Sequence, residues 1–353
     1  MLQTAIIGAS GYTGTELAKL LVQHPHMQLQ GLYVSQNSAD ANKYLNDLDG
    51  KLSEDDFQQP HLALQAINDD TLATLATEMD LIFLATPHEA SHDWMPTLLS
   101  GKAKVLDLSG AFRLAESELY ESYYGFPHQH ETLLQEAVYG LVEWNAKDIA
   151  NASLVAVPGC YPTASLLALK PLMNAELLDT SQYPIINAVS GVSGAGRKAT
   201  LGNSFCEVSL QAYGVLGHRH QPEIASHLGT QVIFTPHLGN FKRGILATIT
   251  AKLNSSVSEE QISDAFQAAY AQEPLVKLSK SWPKLDDVVH SPQCHLHWKY
   301  DASSNYIVVT SAIDNLLKGA ASQALQCANL VSGYEHFTGL INTRAKTKGT
   351  AHE

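Results

Sequence analysis

The chain has 353 residues, of which 45% are hydrophobic, and it carries a formal net charge of −13 with an isoelectric point near 5.6. This length exceeds one ordinary hydrophobic core, so we expect two domains. The acidic balance argues against nucleic acid or an anionic membrane as a partner. The first residues lack the basic and apolar pattern of a signal peptide, and no apolar run is long enough to span a membrane, so we expect a cytoplasmic protein.

The four cysteines, Cys160, Cys206, Cys294 and Cys327, lie far apart in the chain. None of them forms a C-x-x-C pair, and this spacing fits neither a disulfide framework nor a zinc knuckle. We therefore expect no metal site. Each cysteine is then either a buried structural residue or a reactive thiol.

The chain begins with a predicted strand, a glycine turn and a helix. Residues 4–8, Thr-Ala-Ile-Ile-Gly, form the predicted strand, and the leucine pattern of residues 16–21 predicts the helix. The glycine spacing between them is close to the dinucleotide fingerprint, in which backbone N–H groups at a helix N-terminus approach a pyrophosphate. A glycine turn without a ligand is the alternative. The turn residues that we assign to the cofactor are Gly8, Ser10, Gly11, Tyr12, Thr13 and Gly14.

A second predicted strand, residues 29–34, leads into the candidate cofactor residues Ser35 and Ser38. Sites selective for NAD place a carboxylate near this point to bind the ribose 2′-OH, whereas the first acid here is Asp40. The missing acid favours NADP(H) as the cofactor. Because no arginine is close in sequence, hydroxyls, amides and Lys43 would have to hold the 2′-phosphate.

Two further apolar runs, residues 80–86 and 105–109, predict central strands of a parallel sheet. Ligands of such sheets bind at the carboxyl ends of the strands. Pro87 follows the first run directly, and we assign it to the cofactor site. Residues 110–140 are rich in Tyr, Phe, Gly and His, and we expect them to form a long ordered loop beside the site.

Cys160 lies in Pro-Gly-Cys-Tyr-Pro-Thr, between a predicted strand at residues 154–157 and an amphipathic helix that we expect to begin at Thr163. Unpaired N–H groups and the dipole at a helix N-terminus favour the thiolate. The position therefore predicts a lowered thiol pKa and a nucleophile. A buried structural cysteine is the alternative.

The apolar pattern changes after this helix. Clustered or alternating apolar segments, without a regular helix between each pair, lie near residues 184–190, 231–238, 243–253, 288–300 and 306–313. They predict a mostly antiparallel sheet with helices on one face. A final helix from Asn315 to about Val331 has a ladder of small residues, and we expect it to pack closely on the first domain.

Residues 217–224 form a turn rich in side chains that could take part in catalysis. They combine two histidines, an arginine and an acid before a predicted helix. Either His218 or His220 could serve as the base for Cys160. A surface histidine pair and an H-x-H metal site are the alternatives, although no spacing in the sequence supplies the further metal ligands.

Four of the five arginines lie in candidate site loops. Guanidinium groups bind carboxylate and phosphate in bidentate fashion, so this placement favours a substrate that carries both groups. Solvated surface arginines are the alternative. The residues that we assign to the substrate are Arg113, Arg197, Lys198, Arg219, Glu223 and Arg243.

Together, a nucleotide-binding fold, a helix-terminal thiol, a nearby base and anion-binding arginines indicate one reaction. The thiolate attacks an activated acyl carbon, phosphate leaves, and the thioester accepts hydride from a nicotinamide to give an aldehyde. A cysteine hydrolase using Cys160 and His220 is one alternative, but it would need no glycine fingerprint. An NADP-sensing binding protein is another, but it would not need the arginine-bearing loops.

These motifs resemble the N-acetyl-gamma-glutamyl-phosphate reductases of arginine biosynthesis, relatives of aspartate-semialdehyde dehydrogenase. The resemblance runs nearly end to end, through residues 8–14, 105–114, 137–145, 158–163, 190–198, 217–224, 235–245 and 314–324. It implies NADPH-dependent reduction of a small acyl phosphate, N-acetyl-glutamyl 5-phosphate, to the semialdehyde, with Cys160 as the nucleophile. It also implies a homodimer or homotetramer built through the second domain. Gly110-Ala111 and residues 142–145 depart from the usual family residues.

The resemblance implies, in addition, that the C-terminal helix completes the nucleotide domain. We therefore predict an α/β protein with a Rossmann-type parallel-sheet domain at residues 1–157 and 315–341. An α+β domain with a mostly antiparallel sheet is predicted at residues 158–314, and a disordered tail at 342–353. Within the matching motifs, the remaining residues that we assign to the cofactor are Ser193, Gly194 and Asn315.

Overall fold

The structure is a computed structural model that describes residues 1–341, and it contains two seven-stranded sheets. The predicted tail at residues 342–353 lies outside the described residues. Within residues 1–341, no helix has the length and apolar character that crossing a membrane requires.

The first sheet is parallel throughout, as the uninterrupted apolar runs predicted. Its strands are β1 (Leu2–Ile7), β2 (Met27–Val34), β3 (Leu64–Ala66), β4 (Leu81–Leu84), β5 (Lys104–Asp107), β6 (Val138–Tyr139) and β7 (Leu154–Ala156). They are ordered β3-β2-β1-β4-β5-β7-β6, so the direction of winding reverses between β1 and β4. In such sheets the ligand crevice opens at that point, outside the carboxyl ends of the strands.

Helices cover both faces of this sheet. They are α1 (Tyr12–Val22), α2 (Leu45–Leu48), α3 (Glu54–Phe57), α4 (Asp69–Glu78), α5 (His88–Leu98), α6 (Glu118–Tyr124), α7 (Glu131–Glu136) and α8 (Val142–Asn151). One core contains Leu17 and Leu21 of α1, and the core on the opposite face contains Leu75 of α4 and Met95 of α5. This two-sided burial explains why the central strand β4 is apolar at every position.

Residues 110–140 are not the single long loop that we predicted, because they contain α6 and α7 as well as β6. The Tyr120 side chain of α6 is fully buried, and its hydroxyl oxygen accepts a hydrogen bond from the Leu114 N–H at 3.0 Å. The aromatic residues that suggested an ordered loop therefore pack two short helices against the first sheet.

The second sheet is mostly antiparallel, as predicted. Its strands are β8 (Ile185–Gly191), β9 (Gln211–Ala212), β10 (Ile233–Gly239), β11 (Ile245–Lys252), β12 (Val276–Leu278), β13 (Cys294–Asp301) and β14 (Tyr306–Ile313). They are ordered β12-β13-β14-β11-β8-β10-β9; β8–β10 and β12–β13 are parallel pairs and the other pairs are antiparallel. The helices that share its core are α9 (Cys160–Asn174), α10 (His220–Leu228) and α11 (Glu259–Tyr270).

The C-terminal segment returns to the first domain. Leu317–Ala321 is π-helical and leads into α12 (Ser322–Val331). Leu325 of α12 is buried in the same hydrophobic core as Leu17 of α1. A discontinuous nucleotide domain would require this packing, and the domain boundaries stay a prediction.

Candidate active site

The glycine turn between β1 and α1 has the shape that a bound dinucleotide requires. Gly8 has a φ of +89°, and a β-carbon there would lie 2.2 Å from the Ala85 carbonyl oxygen. A β-carbon on Gly14 would lie 2.4 Å from the Gly8 carbonyl oxygen. Gly11 is the extended N-cap of α1, and in the described part of the chain no side chain caps this helix. The turn therefore presents bare backbone at a helix N-terminus, which fits a pyrophosphate.

A cavity of about 900 Å³ lies between this turn and the second domain. The predicted site residues that line it are Ser10, Tyr12, Ser193, Arg197 and Arg243. Asn315 supports the wall of the cavity, because its Nδ2 donates to Ser193 Oγ at 3.0 Å and its Oδ1 accepts from the Gly244 N–H at 2.7 Å. The volume is in the range of small-molecule and cofactor sites.

The other predicted cofactor residues lie along the same edge of the first sheet or on the loop that faces it. Ser35 and Ser38 follow β2, and Pro87 is the N-cap of α5 after β4. Thr13 is in the first turn of α1, and Gly194 is exposed on the segment after β8.

Cys160 is the first residue of α9, which begins three residues before the predicted helix start. Gly159 is the extended N-cap, and the Thr163 hydroxyl donates to its carbonyl oxygen at 2.9 Å. Pro162 fits the first turn, where its missing N–H removes no helical hydrogen bond. The first turn of a helix need not follow the apolar periodicity of the rest. The prediction, which relied on that periodicity, therefore started the helix too late in the chain.

Glu223 fixes the turn that carries Cys160. This residue is fully buried, and its Oε1 accepts hydrogen bonds at 2.8 Å from the Gly159 N–H and at 2.8 Å from the Tyr139 hydroxyl. Its Oε2 lies 3.4 Å from Arg113 Nη1. Because both carboxylate oxygens are engaged inside the protein, the position of Glu223 does not support the predicted contact with substrate. Its contacts are those of a positioning residue.

Arg113 is buried beside the same turn. Its Nε donates to the Val157 carbonyl oxygen at 2.8 Å, and its Nη2 donates to the Leu108 carbonyl oxygen at 2.7 Å. A β-carbon on Gly159 would lie 3.0 Å from Arg113 Nη1. The guanidinium thus braces the ends of two strands and places its positive charge next to the turn that carries Cys160.

His220, the first residue of α10, also lies against this turn, since a β-carbon on Gly159 would be 2.6 Å from His220 Nε2. The His220 backbone N–H donates to His218 Nδ1 at 3.1 Å. Burial and Arg219 lower the pKa of His218 to about 4, and burial, His218 and Arg219 lower the pKa of His220 well below its ordinary value. Both imidazoles are therefore neutral at pH 7 and able to accept a proton.

The thiol environment differs from the prediction. Cys160 is partly buried, and burial raises the pKa of its thiol above the ordinary value. Arg113, the Tyr161 N–H and Arg219 lower this pKa, but they do not offset the burial. The helix N-terminus acts on the thiolate through partial charges, and here the loss of water around the sulfur outweighs them. The predicted lowering of the thiol pKa is therefore wrong.

We expect alkylation of Cys160 by iodoacetamide to accelerate about 10-fold per pH unit from about pH 7, without levelling off below about pH 8.5, because the thiolate is the reactive form. The exposed Cys206 in the same sample is the internal reference, and peptide mass spectrometry follows both thiols. A Cys160 rate that levels off below about pH 7.5 would contradict the raised pKa.

Three residues at the site were not singled out from the sequence. Gly319, in the π-helical segment, lies against Cys160, since a β-carbon there would lie 2.7 Å from the Cys160 β-carbon. Tyr139 completes the buried carboxylate cluster, and His88 Nδ1 accepts from the Gly110 N–H at 2.7 Å. The small residues of the final helical segment were the sequence signal for Gly319. The signal for His88 was its position directly after an apolar strand, where ligands of parallel sheets bind.

The predicted anion-binding residues divide between two places. Arg113 and the exposed Arg219, which is the N-cap of α10, lie with the cysteine and the histidines. Arg197 and Arg243 instead line the cavity, and Lys198 is exposed on the same loop as Arg197.

Arg243 is mostly enclosed by acidic partners. Its Nε is 2.6 Å from Asp314 Oδ2 and its Nη1 is 3.0 Å from Glu16 Oε1, which joins the second domain to α1. The charge of Arg243 is thus already balanced within the protein. Among residues 1–341, no group of three or more His, Cys, Asp or Glu side chains is arranged to hold a metal ion.

Comparisons with known proteins agree with this architecture. The family model "Semialdehyde dehydrogenase, NAD binding domain" matches residues 3–152, and "Semialdehyde dehydrogenase, dimerisation domain" matches residues 160–315. A crystal structure of aspartate semialdehyde dehydrogenase II from Vibrio cholerae, complexed with ASA, has a TM-score of 0.70 at 17% identity, covering 94% of this chain and 98% of that chain. The fold and the matched models define a semialdehyde-dehydrogenase type of oxidoreductase.

Two curated relatives are much more similar in sequence, and both are named N-acetyl-gamma-glutamyl-phosphate reductase. The protein from Pseudoalteromonas atlantica is 62% identical over 342 residues, which cover 97% of this chain and 99% of the relative. The protein from Alteromonas mediterranea is 60% identical over 341 residues, which cover 97% of this chain and 100% of the relative. The chain belongs to the N-acetyl-gamma-glutamyl-phosphate reductase family.

Proposed function

We propose that this protein reduces N-acetyl-L-glutamyl 5-phosphate to N-acetyl-L-glutamate 5-semialdehyde with NADPH and releases phosphate, a step of arginine biosynthesis. The observation that carries the proposal is Cys160 at the start of α9, with Arg113 and His220 packed against Gly159. The nearby cavity has room for a dinucleotide. The names of the relatives support the choice of substrate.

Cys160 is the nucleophile in this proposal. Its thiolate forms a bond to the acyl carbon while the bond from that carbon to the phosphate oxygen breaks, and phosphate leaves with the electron pair. When bound, NADPH supplies a hydride to the carbonyl carbon of the resulting thioester. The tetrahedral alkoxide that this leaves on Cys160 then collapses to the aldehyde and expels the thiolate, which regains its proton from the protonated base.

His220 is the proposed base, because its neutral Nε2 lies next to the turn that carries Cys160. The pKa of the Cys160 thiol is raised, so the thiol needs a base in order to ionise. His218 positions His220 through the backbone hydrogen bond at 3.1 Å. In this proposal the N–H groups at the start of α9 stabilise the oxyanion, and the exposed Arg219 binds an anionic group of the substrate.

We expect His220→Asn to lower kcat by about 100- to 10,000-fold, the usual effect of removing a general base. His218→Ala should lower kcat by only about 10-fold, because it removes one hydrogen bond that orients His220. The comparison is made by steady-state kinetics, with NADPH binding as the control for an intact cofactor site. A larger loss in His218→Ala than in His220→Asn would exchange the two roles.

We also propose a homodimer or homotetramer assembled through the second domain. The matched dimerisation model covers residues 160–315, and Ile185, Ile233 and Tyr306 are exposed on strands of the second sheet. Sedimentation of the purified protein as a monomer at micromolar concentration would contradict this. The cytoplasmic location stays a prediction, which fractionation of the source cells would test.

The test of function is the reverse reaction, reduction of NADP⁺ at alkaline pH with N-acetyl-glutamate 5-semialdehyde and phosphate. We expect turnover to require all three reactants, because phosphate must cleave the thioester. Aspartate 4-semialdehyde is the matched alternative substrate. Equal turnover of the two aldehydes would contradict the acetylated substrate, and acyl-phosphate hydrolysis without a nicotinamide would favour a hydrolase.

A further inference from the structure

Arg197 contacts both the glycine turn and the segment that follows β2. The adenosine ribose of a Rossmann ligand lies between these two segments. It comes from the second domain, on the loop after β8, and its Nη1 donates to the Ser10 carbonyl oxygen in the glycine turn at 3.1 Å. The same Nη1 donates to Asp40 Oδ2, beyond the end of β2, at 2.6 Å. Within residues 1–341, Nε and Nη2 of Arg197 have no hydrogen-bond partner. They remain available to a ligand.

Asp40 is the acid that could have bound a ribose 2′-OH, but its carboxylate is already engaged. Oδ2 accepts from Arg197 and Oδ1 accepts from Lys43 Nζ at 3.1 Å. Burial raises the pKa of this carboxyl, but hydrogen bonds from Arg197 and Lys43 hold it below its ordinary value. Asp40 is therefore ionised and neutralised by two cations, with only 17% of its side chain exposed.

We propose that Arg197 and Lys43 form the binding site for the ribose 2′-phosphate of NADPH, so that a residue of the second domain sets the choice between NADPH and NADH. This inference rests on the proposed function and names the specificity-determining residue of its cofactor site. The phosphate replaces Asp40 as the partner of the two cations.

Charge explains the discrimination. Arg197, Lys43 and Asp40 together carry one net positive charge, and a phosphate monoester brings about two negative charges at neutral pH. NADH brings none at this point, and its 2′-OH meets a carboxylate that already has two donors. The planar guanidinium also matches phosphate geometry, which a lysine does not reproduce.

The test measures direct binding of NADPH and of NADH by fluorescence titration, without substrate and without turnover. Arg197→Ala should weaken NADPH binding by about 10- to 100-fold, the effect of removing a charge-assisted hydrogen bond, and leave NADH binding within about threefold. Arg197→Lys should lose less NADPH affinity than Arg197→Ala, and Asp40→Asn should tighten NADPH binding. The exposed Lys147→Ala, on α8, is the charge-matched control and should change neither affinity.

Two results for Arg197→Ala would overturn the inference. Equal weakening of NADPH and NADH in Arg197→Ala would make Arg197 a general clamp between the domains, and unchanged NADPH binding would exclude it from the site. In both cases wild-type preference for NADPH would leave the proposed function intact. A wild type that binds the two nucleotides equally, or neither, would instead contradict the proposed cofactor and the inference together. Thermal unfolding of each variant shows that the fold is retained.

Discussion

Cys160→Ser is expected to lower the rate of aldehyde oxidation by at least about 10,000-fold, the scale of loss on removing a catalytic nucleophile. A serine hydroxyl ionises far less readily than a thiol, and the neighbouring His220 accepts a proton only from a group acidic enough to release it. The oxygen is smaller than sulfur and fits the same partly buried position. NADPH affinity should therefore stay within about twofold of the wild type, a change below 0.5 kcal/mol.

The measurement pairs steady-state kinetics with cofactor titration on the same preparations. Cys206→Ser is the matched control, because Cys206 is an exposed thiol that is not part of α9. Full activity of Cys160→Ser would remove the covalent mechanism. Loss of activity in Cys206→Ser as well would point to a general effect of thiol replacement.

Glu223→Ala is expected to destabilise the protein by about 3–5 kcal/mol, because it leaves the buried Arg113 guanidinium without its carboxylate. It also releases the Gly159 N–H, so the turn that holds Cys160 loses its anchor. A shift of about 1 Å in a reacting group costs about 100-fold in rate, so kcat should fall by that amount even where the variant is folded. Urea unfolding at 25 °C gives the stability, and kinetics at low temperature give the rate.

Tyr139→Phe is the matched control for Glu223→Ala, since it removes one hydrogen bond to the same Oε1 and leaves the ion pair. Tyr139→Phe should lower the free energy of unfolding by about 1 kcal/mol. Glu223→Gln keeps the volume of the side chain and is the variant to use if the alanine form does not fold. Stability and rate in the glutamine variant no worse than in Tyr139→Phe would show that the carboxylate charge does not hold this turn.

Much of the fold and part of the site could be predicted. The parallel first sheet and the mixed second sheet follow from apolar runs and alternation, because burial on both faces or on one face selects those patterns. The glycine turn follows from spacing, since Gly8 and Gly14 stand where a β-carbon would meet backbone atoms. Cys160 at a strand-to-helix junction could be recognised for the same local reason.

The sequence by itself predicted the two kinds of sheet, the glycine turn and the position of Cys160 at a strand-to-helix junction, because each depends on residues close together in the chain. Only the tertiary structure decided what surrounds them. Glu223 reaches Gly159 across 64 positions, and Arg197 reaches Ser10 across 187. The folded path of the whole chain brought Glu223 to the turn that carries Cys160 and brought Arg197 to the glycine turn after β1. It also raised the pKa of the Cys160 thiol, because desolvation depends on everything packed around the sulfur, whereas the helix dipole depends only on the local turn.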